Sequence, residues 1–393
     1  MTKYQFDVSR ARRETRGCEQ VIHFNNAGAS LMPQPVSAAL FDYLQQEELQ
    51  GGYEVMDQQV LALENFYQAS AKLLNCDSEE IAFADSASRA WAAAFYAFDF
   101  QQGDRILTGN AEYGSNLVAM LHRAQQCGTE IEVIPDDATG QIDLQLLQQR
   151  VDSRVKLIAL THIPSGNGLI NPAVEVGRVA NAAGIPYLLD ACQSLGQLPV
   201  DVAEIGCDLL CGTGRKFLRG PRGSGLLYVR RAFLEQLKPS QLNHHAAILL
   251  GTEQYQLRGD ARRFEFWERS CAGQVALGVA IDYALGWQLA AIAERVQSLA
   301  DDLRHRLDEL STVTVTDVGV KKSAIVTFSV AGRDPAALQR ELAASGINLS
   351  LVPASANPWL VRHKQTQLRA SLHYYNTEEE IETFCAVLLR LLV

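Results

Sequence analysis

The strongest constraint on this chain is the alternation of short apolar runs with amphipathic stretches through residue 230. It culminates in residues 186–229. There the sequence reads Pro-Tyr-Leu-Leu-Asp190-Ala-Cys192-Gln193, then Cys211-Gly-Thr213-Gly-Arg215-Lys216-Phe-Leu-Arg-Gly220, then Gly225-Leu-Leu-Tyr-Val. An apolar run of this length, bounded by turn signals, reads as a strand buried on both faces. Strands alternating with helices predict a mostly parallel sheet covered on both sides. Such a sheet gathers ligand-binding groups at the carboxyl ends of its strands. Ser88, Ser165, Asp190 and Lys216 all follow apolar runs, which predicts one shared pocket.

Length and charge narrow the class. A chain of 393 residues exceeds one minimal domain, so two domains sharing an interface are expected. The net charge of −10 argues against nucleic acid, which demands clustered Lys and Arg. The first residues carry no apolar secretory core, and no apolar run is long enough to span a bilayer. Eight cysteines lie scattered without CxxC spacing, which suits reduced thiols in a cytoplasm and gives no metal site.

Along the chain, Asn25-Asn26-Ala27-Gly28 forms a small-residue turn of the kind that lets backbone approach a ligand. Helices are expected over 33–48 and 57–75. Residues 80–85 read as a strand that runs into Ser86-Ala87-Ser88 and an alanine-rich helix. Free N–H groups at that helix start, with a serine hydroxyl, make an anion site; simple capping is the alternative. Further strands are expected at 130–135 and 155–161, with helices at 143–151 and 173–183. Residues 234–263 read as irregular, 272–310 as long helices linking two domains, and 313–352 as a compact α/β unit. The boundaries predicted are an N-terminal segment 1–20, a large domain 21–270, and linking helices with a small domain over 271–393.

An amine in a glycine-rich loop and an acid at a strand end are what pyridoxal phosphate (PLP) requires, one for its carbonyl carbon and one for its ring nitrogen. The stretch resembles the active-site core of the class V aminotransferase family of fold-type I PLP enzymes, near the cysteine desulfurase and C–S lyase branch. The resemblance extends to Asn25-Asn26-Ala27-Gly28 at one end. At the other it takes in Leu368-Arg369-Ala-Ser-Leu with Tyr375-Asn376-Thr377. It implies a large domain with a mostly parallel seven-stranded sheet, a small C-terminal α/β domain, and a homodimer acting on a small amino acid.

The resemblance also implies roles. Lys216 is the Schiff-base lysine and proton carrier. Asp190 pairs with the ring nitrogen, and Gln193 meets the phenolic oxygen. Tyr113 stacks on the ring where desulfurases usually carry histidine, and serves as a catalytic group. Ala87, Ser88, Thr213 and Arg215 hold the phosphate, and Ser165 stands where many relatives have asparagine. Arg369 clamps the substrate carboxylate, with Ala27, Gly28 and Asn116 as further substrate contacts.

One absence shapes the expected reaction. A desulfurase carries a cysteine on a mobile loop shortly before this arginine; here residues 352–363 contain none. Cys385 and Cys192 read as packing residues. The expectation is therefore a PLP-dependent lyase that cleaves the C–S bond of a cysteine-derived or cysteine-sulfoxide substrate by β-elimination. Epimerisation or racemisation, with Tyr113 or His363 as second acid, and transamination are alternatives. So are desulfurase-like sulfur transfer and a PLP-fold scaffold without activity.

Overall fold

The computed structural model describes residues 6–356, 359 and 365–392. The large sheet is built from seven strands: β1 (Ile81–Ala84), β2 (Arg105–Gly109), β3 (Glu130–Ile134), β4 (Val155–Thr161), β5 (Tyr187–Asp190), β6 (Leu209–Thr213) and β7 (Gly225–Val229). Their order is β1-β7-β6-β5-β4-β2-β3, and β7 runs antiparallel to both of its neighbours. The other pairings are parallel, as expected.

Alternate residues of the central strands feed two separate cores, which is why these strands are apolar throughout. Leu107, Ile158, Leu160, Leu189, Leu210 and Leu226 face one side, packed on helices Val60–Leu74, Ala173–Ala183 and Cys271–Gly286. Ile106, Leu157, Ala159, Leu188, Leu209 and Leu227 face the other, against helices Ala87–Phe95 and Gly114–Cys127.

The second unit holds β8 (Val313–Val315), β9 (Ile325–Val330), β10 (Ser350–Val352) and β11 (Gln367–Ser371) in the order β8-β9-β11-β10, all antiparallel. Helices Leu289–Asp308, Pro335–Ala344 and Glu378–Leu392 close its core. Two segments join the two units. Helix Cys271–Gly286 contributes Ala276, Leu277, Ala280 and Ile281 to the large-domain core. The short strand Ile22–His23 pairs in parallel with Ile347–Asn348, and Phe24 is buried in the small-domain core. Residues 234–263 are also not wholly irregular, since Ala247–Leu249 and Tyr255–Leu257 form a hairpin.

Candidate active site

The carboxyl ends of β4, β5 and β6 converge on one pocket, because parallel strands in register bring their last residues side by side. Thr161 stands opposite Asp190, and Asp190 opposite Cys211. Ser88, Tyr113, Ser165, Asp190, Gln193, Thr213, Arg215 and Lys216 line the pocket, together with Ala87. Nine residues expected from separate stretches of sequence thus share one cavity.

Lys216 follows β6 in a loop held by its own backbone. Gly214 N–H donates to Ser224 O at 2.9 Å, Gly220 N–H to Gly214 O at 2.8 Å, and Arg219 N–H to Lys216 O at 2.9 Å. Arg219 takes a left-handed φ of 61°, a cost for a non-glycine residue. Its buried side chain offsets that cost. It donates to Leu31 O at 2.9 Å and to the Tyr374 hydroxyl at 2.7 Å, and its guanidinium lies 4.5 Å from the Tyr375 ring centroid. The loop is therefore pinned to both chain ends.

The Lys216 amine is buried and held below the usual lysine range. Burial is the main cause, and the charges of Arg215 and Arg369 act in the same direction against Cys192 and Asp190. Both oxygens of Asp190 are fixed: Oδ1 accepts from Cys192 N–H and Oδ2 from the Asn116 amide, each at 2.9 Å. The Tyr113 ring centroid lies 5.9 Å from Lys216 Nζ.

Ser86 caps helix Ala87–Phe95 by accepting from Arg89 N–H at 3.2 Å. The helix start meets the strand pair beneath it closely. A Cβ on Gly225 would lie 2.6 Å from Gly212 O and 3.1 Å from Ala87 N, so only glycine fits. Thr213 and Arg215 lie alongside, so a helix N-terminus, a hydroxyl and a cation share one corner of the pocket.

Arg369, on β11, reaches across from the small domain. Its Nη1 donates to Ser165 O at 2.9 Å and its Nη2 to Asn25 Oδ1 at 3.3 Å, while Nε is buried without a partner. Burial, aided by the charge of Arg215, brings this guanidinium down to about 10.

Three expected substrate contacts are placed differently. Ala27 N–H donates to Ser371 Oγ at 2.8 Å, and Ala27 O accepts from Gln193 Nε2 at 3.1 Å. Gly28 N–H donates to Asn25 O at 3.0 Å, and Gly28 O accepts from the Arg215 guanidinium. These backbone groups brace the pocket wall. Asn116 is buried behind Asp190, with its amide spent on carboxylates rather than open to the cavity. His363 lies outside the described residues. Sequence reasoning did not place Thr161, Ile163 or Cys192 on the wall. The position of Thr161 as last residue of an apolar strand was the available signal. Nothing local marked Glu112, whose role emerges only from its contacts.

The pocket fits PLP by its donor set. It joins a buried amine, an anchored carboxylate, an aromatic ring and a helix N-terminus beside a cation. The Oε1 of Gln193 and the Nε of Arg369 are buried polar atoms left without protein partners.

The Aminotransferase class-V family model matches residues 22–384. A probable cysteine desulfurase of Methanothermobacter thermautotrophicus is 27% identical, over 94% of each chain. One of Pyrococcus abyssi is 28% identical over 96% of each. The solved cysteine desulfurase of Thermococcus onnurineus NA1 superposes with a TM-score of 0.92 at 27% identity, covering 100% of this chain and 99% of that one. The architecture is that of fold-type I PLP enzymes, as the sequence led us to expect. The chain belongs to the class V aminotransferase family.

Proposed function

We propose that this protein is a PLP-dependent lyase that removes a sulfur substituent from a cysteine-derived or cysteine-sulfoxide substrate by β-elimination. One observation carries the choice. Lys216, Asp190 and Arg215 line one pocket and Arg369 bonds to Ser165 O of its wall, yet residues 353–366, between β10 and β11, contain no cysteine to receive sulfur. Cys385 lies in the terminal helix, packed against the small-domain core.

Ala87, Ser88, Thr213 and Arg215 would hold the phosphate of PLP, Asp190 its ring nitrogen, Gln193 its phenolic oxygen and Lys216 its carbonyl carbon. When bound, PLP supplies an acceptor for the electron pair left on the substrate α-carbon. The remaining work belongs to the protein. Arg369 takes the substrate carboxylate through a forked pair, for which its unpartnered Nε is free. Lys216, kept readily deprotonated by burial, accepts the α-proton and can return it to the departing sulfur. Tyr113 stands over the lysine and offers its hydroxyl as a second proton donor to the leaving group. Water then converts the remaining three-carbon fragment to pyruvate and ammonia.

A second reading is sulfur transfer, as the names of the relatives suggest. It would route the sulfur to Cys192, which lines the pocket. Contact with Cys211 favours the Cys192 thiolate, but burial and Asp190 outweigh it and raise the thiol, which disfavours attack.

The reading includes a cytoplasmic homodimer. Phe41, Leu49, Leu61 and Trp267 are exposed apolar side chains that a second copy would cover, and all eight cysteines are free. Incubation with cysteine, cystine and cysteine-sulfoxide conjugates tests the reaction. Pyruvate release is expected, whereas alanine with protein persulfide would replace this reading with the second.

A further inference from the structure

Behind Asp190 lies a second buried carboxylate that the reaction itself does not use. Glu112 is 4% exposed, Asn116 2% and Asp190 4%. The Asn116 carboxamide stands between the two acids, donating from Nδ2 to Glu112 Oε1 at 2.8 Å and to Asp190 Oδ2 at 2.9 Å. A carboxamide has two N–H hydrogens, and here one goes to each carboxylate. The reverse orientation would press the amide oxygen against two acids. Glu112 therefore locks the amide in the sense that Asp190 requires.

The same Glu112 Oε1 accepts the backbone N–H of Tyr113 at 2.8 Å and the Thr161 hydroxyl, and Oε2 accepts the Thr108 hydroxyl at 3.2 Å. Burial, with the charge of Asp190 next, pushes this carboxyl above the usual range. So well-filled a shell around a buried acid points to a group placed for orientation.

We propose that Glu112 is a positioning residue. Through the Asn116 amide it fixes the rotation of the Asp190 carboxylate, and through the Tyr113 N–H it fixes the aromatic residue that covers Lys216. One buried acid thus couples the group expected at the ring nitrogen to the group expected on the ring face. The inference rests on the PLP reading given above and adds a residue that does not itself touch the cofactor.

The test compares wild type, Glu112→Gln, Asn116→Ala and the double variant, each loaded with PLP. The readouts are the visible absorption band and the rate of cofactor release on dilution. Glu112→Gln keeps the shape of the side chain but places a donor against the Asn116 amide or removes an acceptor. It is expected to shift the band and to speed release by about tenfold, with kcat lowered more than KM. Asn116→Ala removes the amide and leaves Glu112 bonded to Tyr113, Thr161 and Thr108. It should reproduce the effect on release, and the double variant should be no worse than the stronger single. A Glu112→Gln protein with the wild-type band and release rate overturns the proposal, as do effects of the two changes that simply add. Wild type that shows no visible band with PLP would overturn both this inference and the lyase reading.

Discussion

Lys216 Nζ stands 5.9 Å from the centroid of the Tyr113 ring, with the lysine buried and the tyrosine 39% exposed. The ring is the outer wall of the site and the amine its floor. Tyr113→Phe keeps the ring and loses only the hydroxyl, so cofactor affinity should hold while kcat falls by about tenfold or more. Tyr113→Ala should in addition loosen PLP, read by equilibrium titration of its visible band. A Phe variant with wild-type kcat would remove the hydroxyl from the mechanism.

Arg369 is held near the pocket by Ser165 O and Asn25 Oδ1, and its guanidinium titrates at about 10 because it is buried beside Arg215. It is charged below that pH and loses its proton above it. KM for an amino-acid substrate should therefore be flat at neutral pH and climb as pH rises through about 10. Arg369→Lys keeps a charge but loses the fork, and should raise KM by about 10- to 100-fold with a smaller change in kcat.

Burial of the Lys216 amine favours its neutral form in the folded protein. The unfolded chain binds the proton more tightly, so the folded state is penalised at neutral pH. The penalty vanishes as pH rises past the ordinary lysine value and grows as pH falls below it. Lys216→Met should raise the melting temperature of the PLP-free protein at pH 7 by several degrees, while abolishing the visible band on PLP addition. Equal melting temperatures across pH 7 to 10 would contradict this.

Arg219 ties the lysine loop to Leu31 and to the Tyr374 and Tyr375 rings. Arg219→Ala removes a buried cation together with its hydrogen bonds, and should cost about 3 kcal/mol in urea unfolding. The phenolic and carbonyl groups it served would be left buried. Arg219→Gly relieves the left-handed backbone but loses the same contacts, so it should recover only part of that loss.

Much of this was legible along the chain. The apolar run 155–161 is β4 and the pattern at 173–183 is a helix with those bounds, because the first is a short, nearly continuous apolar run and the second has helical periodicity closed by Gly184. Lys216, Asp190 and Ser88 could be gathered into one pocket from order alone, since parallel sheets collect strand ends. Ala27, Gly28 and Asn116, expected as substrate contacts, have their polar groups bonded to protein partners. Glu112 next to Tyr113 reads as an ordinary surface acid until the fold buries it beside Thr161, 49 residues away.

Local sequence determined the strands, the helices and the chemical kinds of group at the strand ends, because side-chain periodicity and turn chemistry act over a few residues. The tertiary fold decided which polar atoms remain available. Whether an amide faces a ligand or a second carboxylate depends on contacts from distant segments. Only packing settles them, by removing some groups from water while leaving others at the cavity wall.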